Sequence, residues 1–433
     1  MSNLNPFGSI DSQIIATAAR QFGTPFYLYD ERLLIDKCQR LLAMPHAFGI
    51  TVRFAMKANS TRAILKIISG QGLKIDASSL NEARRARLAG IPYGDILLTT
   101  QEAPAGQDMQ DLQDMMRQGL RYNVCSALQL QNIADFASET GTSLSVRVSP
   151  GMGAGESATR NTGDDYSCFG VHLSDMERTL AIAKDKGLVL DQLHVHIGSG
   201  GSPEIWRANI VNELGILEKY FPDAKIISFG GGMKEARMPD EAPADILSLG
   251  QYAKEKIDLF YQKTSRKMHV EIEPGTYVAA NAGYVVTRVL DKKRTGGDGF
   301  LFLVLDGGME LNARPLLYGS RHPFYMISQQ GRLLSTEFFG DPGAELAVPV
   351  GRCCESGDAQ SLTPEGLSLP RPMTAPSVGD YAVIGGAGAY CSSMAPMNYN
   401  SHVQAGEVLY TRDGNLVEIR RRQTLEQLLA NEI

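Results

Sequence analysis

The chain predicts a (β/α)8 barrel of the TIM type joined to a discontinuous all-β domain. Three features of the sequence carry this prediction. Between Val52 and Gly275, eight short apolar runs alternate with helical patterns. After Gly275 the texture changes to short strands separated by Gly, Pro and Asp turns. Ahead of the barrel, Tyr27–Tyr29 reads as one more strand able to join that second half. Alternation repeated eight times argues for a parallel barrel. The boundaries that follow are 30–275 for the barrel, and 1–29 with 276–433 for a β-sandwich or β-barrel-like domain. The third-to-fourth connection is the least regular and leaves a doubly wound sheet open.

The barrel strands are read at Val52–Met56, Leu73–Asp76, Ile96–Thr99, Tyr122–Cys125, Leu144–Val148, Leu193–Ile197, Ile226–Phe229 and His269–Ile272. Between them, Ile64, Leu65, Ile67 and Ile68 form an apolar stripe at helical spacing. Ser79-x-x-Glu82 is a capping box opening Asn81–Leu88, and Gly90 closes that helix. Further helices are expected at Met109–Met116, Leu128–Ala137, Met176–Ala183, Ile205–Tyr220 and Leu247–Tyr261. The second half reads as strands at Tyr284–Leu290, Phe300–Leu305, Leu346–Val350, Asp380–Ile384 and Gly406–Tyr410, with a hairpin-type turn at Thr295-Gly-Gly-Asp-Gly299.

A length of 433 residues exceeds one ordinary core. The net charge of −6, with no basic block, argues against nucleic acid and anionic membranes as partners. No apolar run is long enough to span a bilayer. Met1–Ile15 lacks a basic region followed by an apolar core, so a cytoplasmic chain with reduced thiols is expected. Cys38, Cys125, Cys168, Cys353, Cys354 and Cys391 form no spaced CxxC pairs, and no metal site is expected.

Chemistry in such a barrel collects where strands end. Here Lys57 ends the first strand, Asp76 the second, and Arg147 and Ser149 the fifth. His196 and Ser199 end the sixth, within His194-Val-His-Ile-Gly-Ser-Gly200. Gly230, Gly231 and Gly232 end the seventh, and Glu273-Pro-Gly275 with Thr276 ends the eighth. Each has a bland reading: a surface lysine, a pair of ordinary strand histidines or half a metal site, a plain turn, a loop-capping carboxylate. Together they form a set. Glycine-rich turns present N–H groups to a phosphate, with the Ser199 hydroxyl beside them. Glu273 can keep a pyridine nitrogen protonated, His196 can stack on a flat ring, and Lys57 is an amine for an aldehyde. Phosphate, pyridinium, flat ring and aldehyde describe pyridoxal 5′-phosphate, the electron sink of carbanion chemistry.

Eight motifs in order resemble the fold-type III pyridoxal-phosphate-dependent decarboxylases, the alanine racemase-like barrel group, and within it the diaminopimelate decarboxylases. They are Phe54-Ala-Met-Lys-Ala-Asn59, His196-Ile-Gly-Ser-Gly200, Gly230-Gly-Gly232, Glu273-Pro-Gly275, Arg314-Pro-Leu-Leu-Tyr-Gly319, Cys354-Glu-Ser-Gly-Asp358, Gly388-Ala-Tyr390 and Ile419-Arg-Arg-Arg-Gln-Thr424. The resemblance runs from about Thr24 to the C-terminus. It implies decarboxylation at Lys57, with Cys354 returning a proton to carbon from the partner subunit of a homodimer. It implies that Arg314, Tyr318 and Glu355 hold the far end of the substrate, and that Tyr390 lies near cofactor and substrate. Cys354 also reads as a small buried hydrophobe, Arg314 as a surface arginine, and Cys353 has no assigned role.

Three departures stand out. Thr276 replaces an arginine usual in the family, which supports the distal carboxylate or the phosphate. Asn400-Ser-His402 replaces Asn-Ser-Arg, and Cys168 precedes Phe169-Gly170 where a polar residue is frequent. Arg160 and Arg321 are the basic residues considered as compensation. The resemblance thus implies conversion of meso-2,6-diaminopimelate to L-lysine and CO2, a step of lysine biosynthesis. Thr276 keeps open a decarboxylase of another amino acid or of a siderophore or polyamine precursor. A non-catalytic regulatory homologue and a racemase fit less well, since Lys57, His196, Glu273 and Cys354 are all present.

Overall fold

The computed structural model describes residues 8–153, 162–198, 202–297, 299–336, 344–374 and 376–433. They divide into two compact units: Lys37–Glu235 with Pro243–Tyr277, and the described residues up to Asp36 with Ala236–Ala242 and Val278–Ile433.

The first unit is a closed barrel of eight parallel strands. They are Ile50–Ala55, Lys74–Ala77, Ile96–Leu98, Arg121–Val124, Leu144–Ser149, Leu190–His194, Ile226–Ser228 and His269–Ile272. Each pairs with the next, and the eighth returns to the first with Glu271 opposite Thr51. A two-residue strand, Val171–His172, adds to the fifth. All eight expected strands exist, and the doubly wound alternative falls because the fourth and fifth pair and close the ring. The sixth lies three residues earlier than expected. Leu190 pairs with Leu144, so His196 stands beyond the strand end rather than within it.

Alternation explains the two surfaces of this sheet. Val52, Phe54, Ile75, Leu97, Val124, Val146, Leu193, Ile227 and Ile272 are buried apolar residues. Between them stand buried polar groups that bond across the barrel. Arg53 on the first strand grips Glu271 on the eighth through Nε and Nη2, both at 2.9 Å. Gln192 on the sixth donates to Glu271 at 2.9 Å and accepts from Arg121 on the fourth at 2.9 Å. The first and eighth strands are neighbours, but the Gln192 bonds to the eighth and fourth each skip a strand, so this polar network runs on the lumen side. The expected helices are present, including Arg62–Gly70, Leu80–Leu88, Pro203–Tyr220 and Ile246–Thr264. The Ser79 hydroxyl caps Glu82 N–H at 3.1 Å, whereas Glu82 accepts from Ser78 rather than from Ser79.

The second unit is a mixed β-sheet module. Its central strand is Phe26–Asp30, buried throughout. This strand pairs antiparallel with Gly283–Arg294 and parallel with Gly406–Tyr410. Phe26, Leu28, Tyr284, Val286, Tyr325, Ile327, Val383 and Val408 form its core with Ile15 and Ala19. The last two belong to Ser12–Phe22, a helix not anticipated from the sequence, whose N-cap Asp11 accepts from Ile14 N–H at 2.8 Å. The turn after Thr295 closes the expected hairpin, Arg294 opposite Leu301. Four strands, Phe324–Ile327, Leu333–Thr336, Arg371–Met373 and Leu416–Arg420, were not expected. They are short, and Arg371-Pro-Met373 carries the proline that demotes a strand in a sequence reading. The fold class is the expected one, a TIM-type barrel with a discontinuous all-β domain.

Candidate active site

Nine of the expected residues, Lys57, Asp76, His196, Gly230, Gly231, Gly232, Glu273, Gly275 and Thr276, lie at the carboxyl ends of the barrel strands. Lys57 lies in a single 3-10 turn, Met56–Ala58, immediately after the first strand, and is half-buried. Its ammonium acts on three groups around it, Asp76, Glu82 and His196. Glu273 follows the eighth strand and is buried. His194 Nε2 donates to Glu273 Oε2 at 2.7 Å, and the Ser228 hydroxyl donates to Oε1 at 3.1 Å.

The two acids of this mouth are driven apart. Burial pushes Glu273 up, but the His194 ring and its hydrogen bond, with Arg53 behind, outweigh it and hold the carboxyl below its usual range. Burial pushes Asp76 well up, and the charge of Glu273 pushes the same way, against Lys57 and the Thr99 hydrogen bond. Glu273 is thus pushed toward its ionised form and Asp76 toward its protonated one, a division that fits distinct roles. Burial, then the charges of Lys57, Arg147 and His194, pushes His196 well below its ordinary range. Gly231 N–H donates to His196 Nδ1 at 3.2 Å, which puts the proton of the neutral ring on Nε2.

Gly230 and Gly232 have φ of 63° and 98°. A Cβ at Gly230 would fall 2.4 Å from Val195 O, and one at Gly231 would fall 2.6 Å from Glu273 O. Glycine here lets the seventh strand's exit touch the ends of the sixth and eighth, which is the plain structural reason for the run. Gly275 is buried, and Thr276 is the half-buried first residue of the short helix Thr276–Ala279. Ser199 and Arg160 lie outside the described residues.

A pyridoxal-type cofactor fits this set. It needs an amine, an ionised carboxylate, a neutral flat ring and backbone room for a phosphate, and each is present at the mouth. Asp76 Oδ1 is also buried without a hydrogen-bond partner.

The remaining expected residues belong to the β unit. Arg314 is 4% exposed and opens the helix Arg314–Tyr318. It is not the surface arginine of the bland reading. Its guanidinium lies 5.7 Å from the Tyr318 ring and 5.8 Å from the Tyr390 ring, and donates to Ser320 Oγ at 3.2 Å. Its Nε is buried with no partner. Tyr390 holds φ of 59°, a left-handed conformation costly for an aromatic residue. Cys354 and Glu355 are exposed, so the reading of Cys354 as a buried hydrophobe does not hold. Cys354 N–H donates to Asn400 Oδ1 at 2.7 Å, and Asn400 has φ of 49°. Cys353 points inward: its thiol donates to Glu310 Oε2 at 3.4 Å, and burial with Glu310 and Asp358 pushes it up.

Glu310, Cys353 and Asp358 are close enough to surround an ion. Their atoms are already engaged, Glu310 by Arg352 and Gly308 N–H, and Asp358 by Met309 and Cys353 N–H groups. Arg321, considered as a compensating cation, is exposed and tied to Asp240 at 2.9 Å. Sequence reasoning missed Arg53, Glu271, Gln192 and Asn400. The first three carry a signal, two charged residues and one amide within buried strands, whereas Asn400 drew notice only as part of Asn400-Ser-His402 and its bond to Cys354 carried none.

Residues 35–280 match the family described as pyridoxal-dependent decarboxylase, pyridoxal binding domain. The chain is 31% identical over 437 residues to a diaminopimelate decarboxylase of Streptomyces coelicolor, covering 98% of this chain and 93% of that protein. It is 32% identical over 423 residues to that of Escherichia coli K12, covering 95% and 94%. A crystal structure of a diaminopimelate decarboxylase superposes with a TM-score of 0.89 at 28% identity, over 99% of both chains.

Proposed function

The chain belongs to the pyridoxal-dependent decarboxylases, and from that premise we propose that it converts meso-2,6-diaminopimelate to L-lysine and CO2 with pyridoxal 5′-phosphate. Bound at the barrel mouth, the cofactor supplies an aldehyde for the substrate amine and a protonated ring that accepts the electron pair left when CO2 departs. Lys57 offers the amine that holds that aldehyde. Glu273, kept ionised, holds the proton on the ring nitrogen. His196, kept neutral, covers the ring without placing a second cation against it. We assign the phosphate to Gly230, Gly231 and Gly232 with Gly275 and Thr276, and count Asp76 and, from the family resemblance, Tyr390 among the cofactor-binding residues. Cys354 returns a proton to the carbon that lost CO2. Glu355 takes the distal ammonium, and Arg314 with Tyr318 takes the distal carboxylate.

The observation that carries the choice of substrate is Arg314. A buried guanidinium with an unsatisfied Nε, which among the described residues makes no ion pair, selects a ligand that brings its own carboxylate. Ornithine and lysine have no carboxylate beyond the one that leaves, whereas diaminopimelate does. The exposure of Cys354 and Glu355 supports a homodimer in which these residues serve the partner subunit; a cytoplasmic location is part of the same proposal. Among the described residues no helix is long and apolar enough to cross a membrane. The test is CO2 release from the cofactor-loaded protein with diaminopimelate, lysine and ornithine side by side. Release from diaminopimelate alone is expected, and release from lysine or ornithine with diaminopimelate inert overturns the reading.

A further inference from the structure

The tail Ile419–Thr424 offers no group to the reaction proposed above, yet it is tied down residue by residue within the β unit. Arg420 pairs with the buried Glu407 at 3.0 Å. Arg422 donates to Gly23 O and Pro25 O, both at 2.9 Å. Gln423 N–H donates to Gln404 O at 3.0 Å. The Gln423 side chain accepts at Oε1 from Gln404 N–H at 3.0 Å and from Asn398 Nδ2 at 2.6 Å. A fixed Gln423 therefore fixes Asn398, whose Nδ2 also donates to His402 O at 3.1 Å.

Asn398 opens a tight loop. Ser401 N–H donates to Asn398 O at 3.0 Å, and His402 N–H donates to Tyr399 O at 3.1 Å. Asn398, Asn400 and Ser401 have φ of 64°, 49° and 59°, three of the five non-glycine residues with positive φ among the described residues. Asparagine tolerates a left-handed backbone and serine less readily, so the loop keeps this shape only where its surroundings over-determine it. Gln423 supplies that restraint from one side. On the other side the loop makes two contacts with a single turn. Asn400 Oδ1 accepts from Cys354 N–H at 2.7 Å, and the Tyr399 hydroxyl donates to Glu355 Oε2 at 3.4 Å. The turn has its own base: Cys353 N–H donates to Asp358 Oδ2 at 2.8 Å, and Glu355 N–H donates to Cys353 O at 2.8 Å. The backbone of Cys354 is thus held between that base and Asn400, with its side chain exposed.

We propose that Asn400 and Gln423 are positioning residues of the decarboxylase: Gln423 braces Asn398, the strained loop carries Asn400, and Asn400 fixes the backbone from which Cys354 delivers its proton. This inference rests on the role given to Cys354. It gives the tail a part in the rate without any contact to substrate or cofactor.

Asn400→Gly keeps the left-handed backbone and removes only the side-chain acceptor. Amide hydrogen exchange of the cofactor-loaded enzyme, read by mass spectrometry, should show the Cys354 N–H exchanging about tenfold faster than in wild type. In the same variant kcat with diaminopimelate should fall about 10- to 100-fold while KM stays within about twofold, with the urea unfolding midpoint unmoved. Asn400→Asp keeps an acceptor for the Cys354 N–H and should recover most of that loss. Gln423→Leu should reproduce the Asn400→Gly pattern more weakly, and Gln423→Glu, which keeps the acceptor for Asn398, should lie between Gln423→Leu and wild type. Unchanged exchange at Cys354 in Asn400→Gly or in Gln423→Leu overturns the proposal. So does a loss carried by KM alone, or an Asn400→Asp enzyme as slow as Asn400→Gly. CO2 release from diaminopimelate by wild type is measured separately: its absence sinks the functional reading, while exchange at Cys354 still decides whether Gln423 and Asn400 hold that turn.

Discussion

Glu273 and Cys354 occupy opposite physical situations. Glu273 is buried, accepts from His194 and Ser228, and has the Arg53–Glu271–Gln192 network behind it. Cys354 stands in solvent on a turn, tied through its backbone to Asn400. A carboxylate that must stay charged away from water needs opposing charge and hydrogen bonds from several strands. The role proposed for Cys354, a proton donor to a second chain, calls for the reverse, an exposed side chain on a tethered backbone. The barrel holds acids whose charge state is set by buried neighbours, whereas Cys354 and Glu355 of the β unit face solvent.

The contrast is broken most completely at Lys57. Lys57→Ala should reduce decarboxylation to background while leaving the unfolding transition in place. Borohydride should fix the cofactor covalently to wild type and not to the variant, read by mass spectrometry. Covalent labelling of the variant to the same extent would remove Lys57 from the role assigned to it.

Cys354→Ala should cost about 10²- to 10⁴-fold in rate, as loss of a positioned general acid does. Its exposed position should keep the stability change within about 0.5 kcal/mol. Mixing it with Lys57→Ala under subunit exchange should restore activity, because each mixed dimer keeps one complete set of groups. Exchange verified by native mass spectrometry, without any activity, would end the shared-site reading.

On the barrel side the sharper test is stability. Arg53→Met leaves Glu271 buried without its bidentate partner and should cost about 3–5 kcal/mol in urea unfolding. Adding Glu271→Leu should recover much of that loss, since an apolar pair of similar volume replaces the ion pair. A double variant as unstable as the single one would show that Arg53 acts through packing alone.

The smallest expected effect is a difference in pH dependence. Glu273 is held below its ordinary range, so it contributes stability above its unfolded pKa, and that is lost as pH falls through its folded value. Asp358 runs the other way. Burial raises it to about 6, so stability is lost as pH climbs from its unfolded value, about 3.9, towards 6, and is level above. The stability gap between wild type and Asp358→Asn should therefore change between about pH 4 and pH 6 and stay constant from pH 7 upward. A gap that is flat across the whole range would assign Asp358 an ordinary carboxyl.

The barrel was legible because eight apolar runs punctuated by helices leave little else to build, and because strand ends concentrate chemistry wherever the chain runs. Its floor was harder to read. Arg53 and Glu271 stand 218 positions apart, and only the closure of the ring, eighth strand on first, makes them partners. The placement of Arg237 was illegible for a related reason: nothing in Met233-Lys-Glu-Ala-Arg237 says that the chain there has joined the other unit. Asn400 acts through a left-handed backbone that no residue pattern announces. Short edge strands such as Arg371–Met373 depend on their partners for existence, Ala347 facing Arg371.

The central strand of the β unit has a consequence for how the polypeptide is made. Phe26–Asp30 leaves the ribosome first among the strands, yet its neighbours are Gly283–Arg294 and Gly406–Tyr410. At about 5–20 residues per second, the roughly 380 residues from Asp30 to Tyr410 take about 20–75 s to synthesise. Until Gly283–Arg294 emerges, this strand, buried throughout in the folded unit, has neither of its partners, and until Gly406–Tyr410 emerges it lacks the second. A product that ends before residue 406 lacks the parallel partner of Phe26–Asp30 and leaves that edge of the strand open.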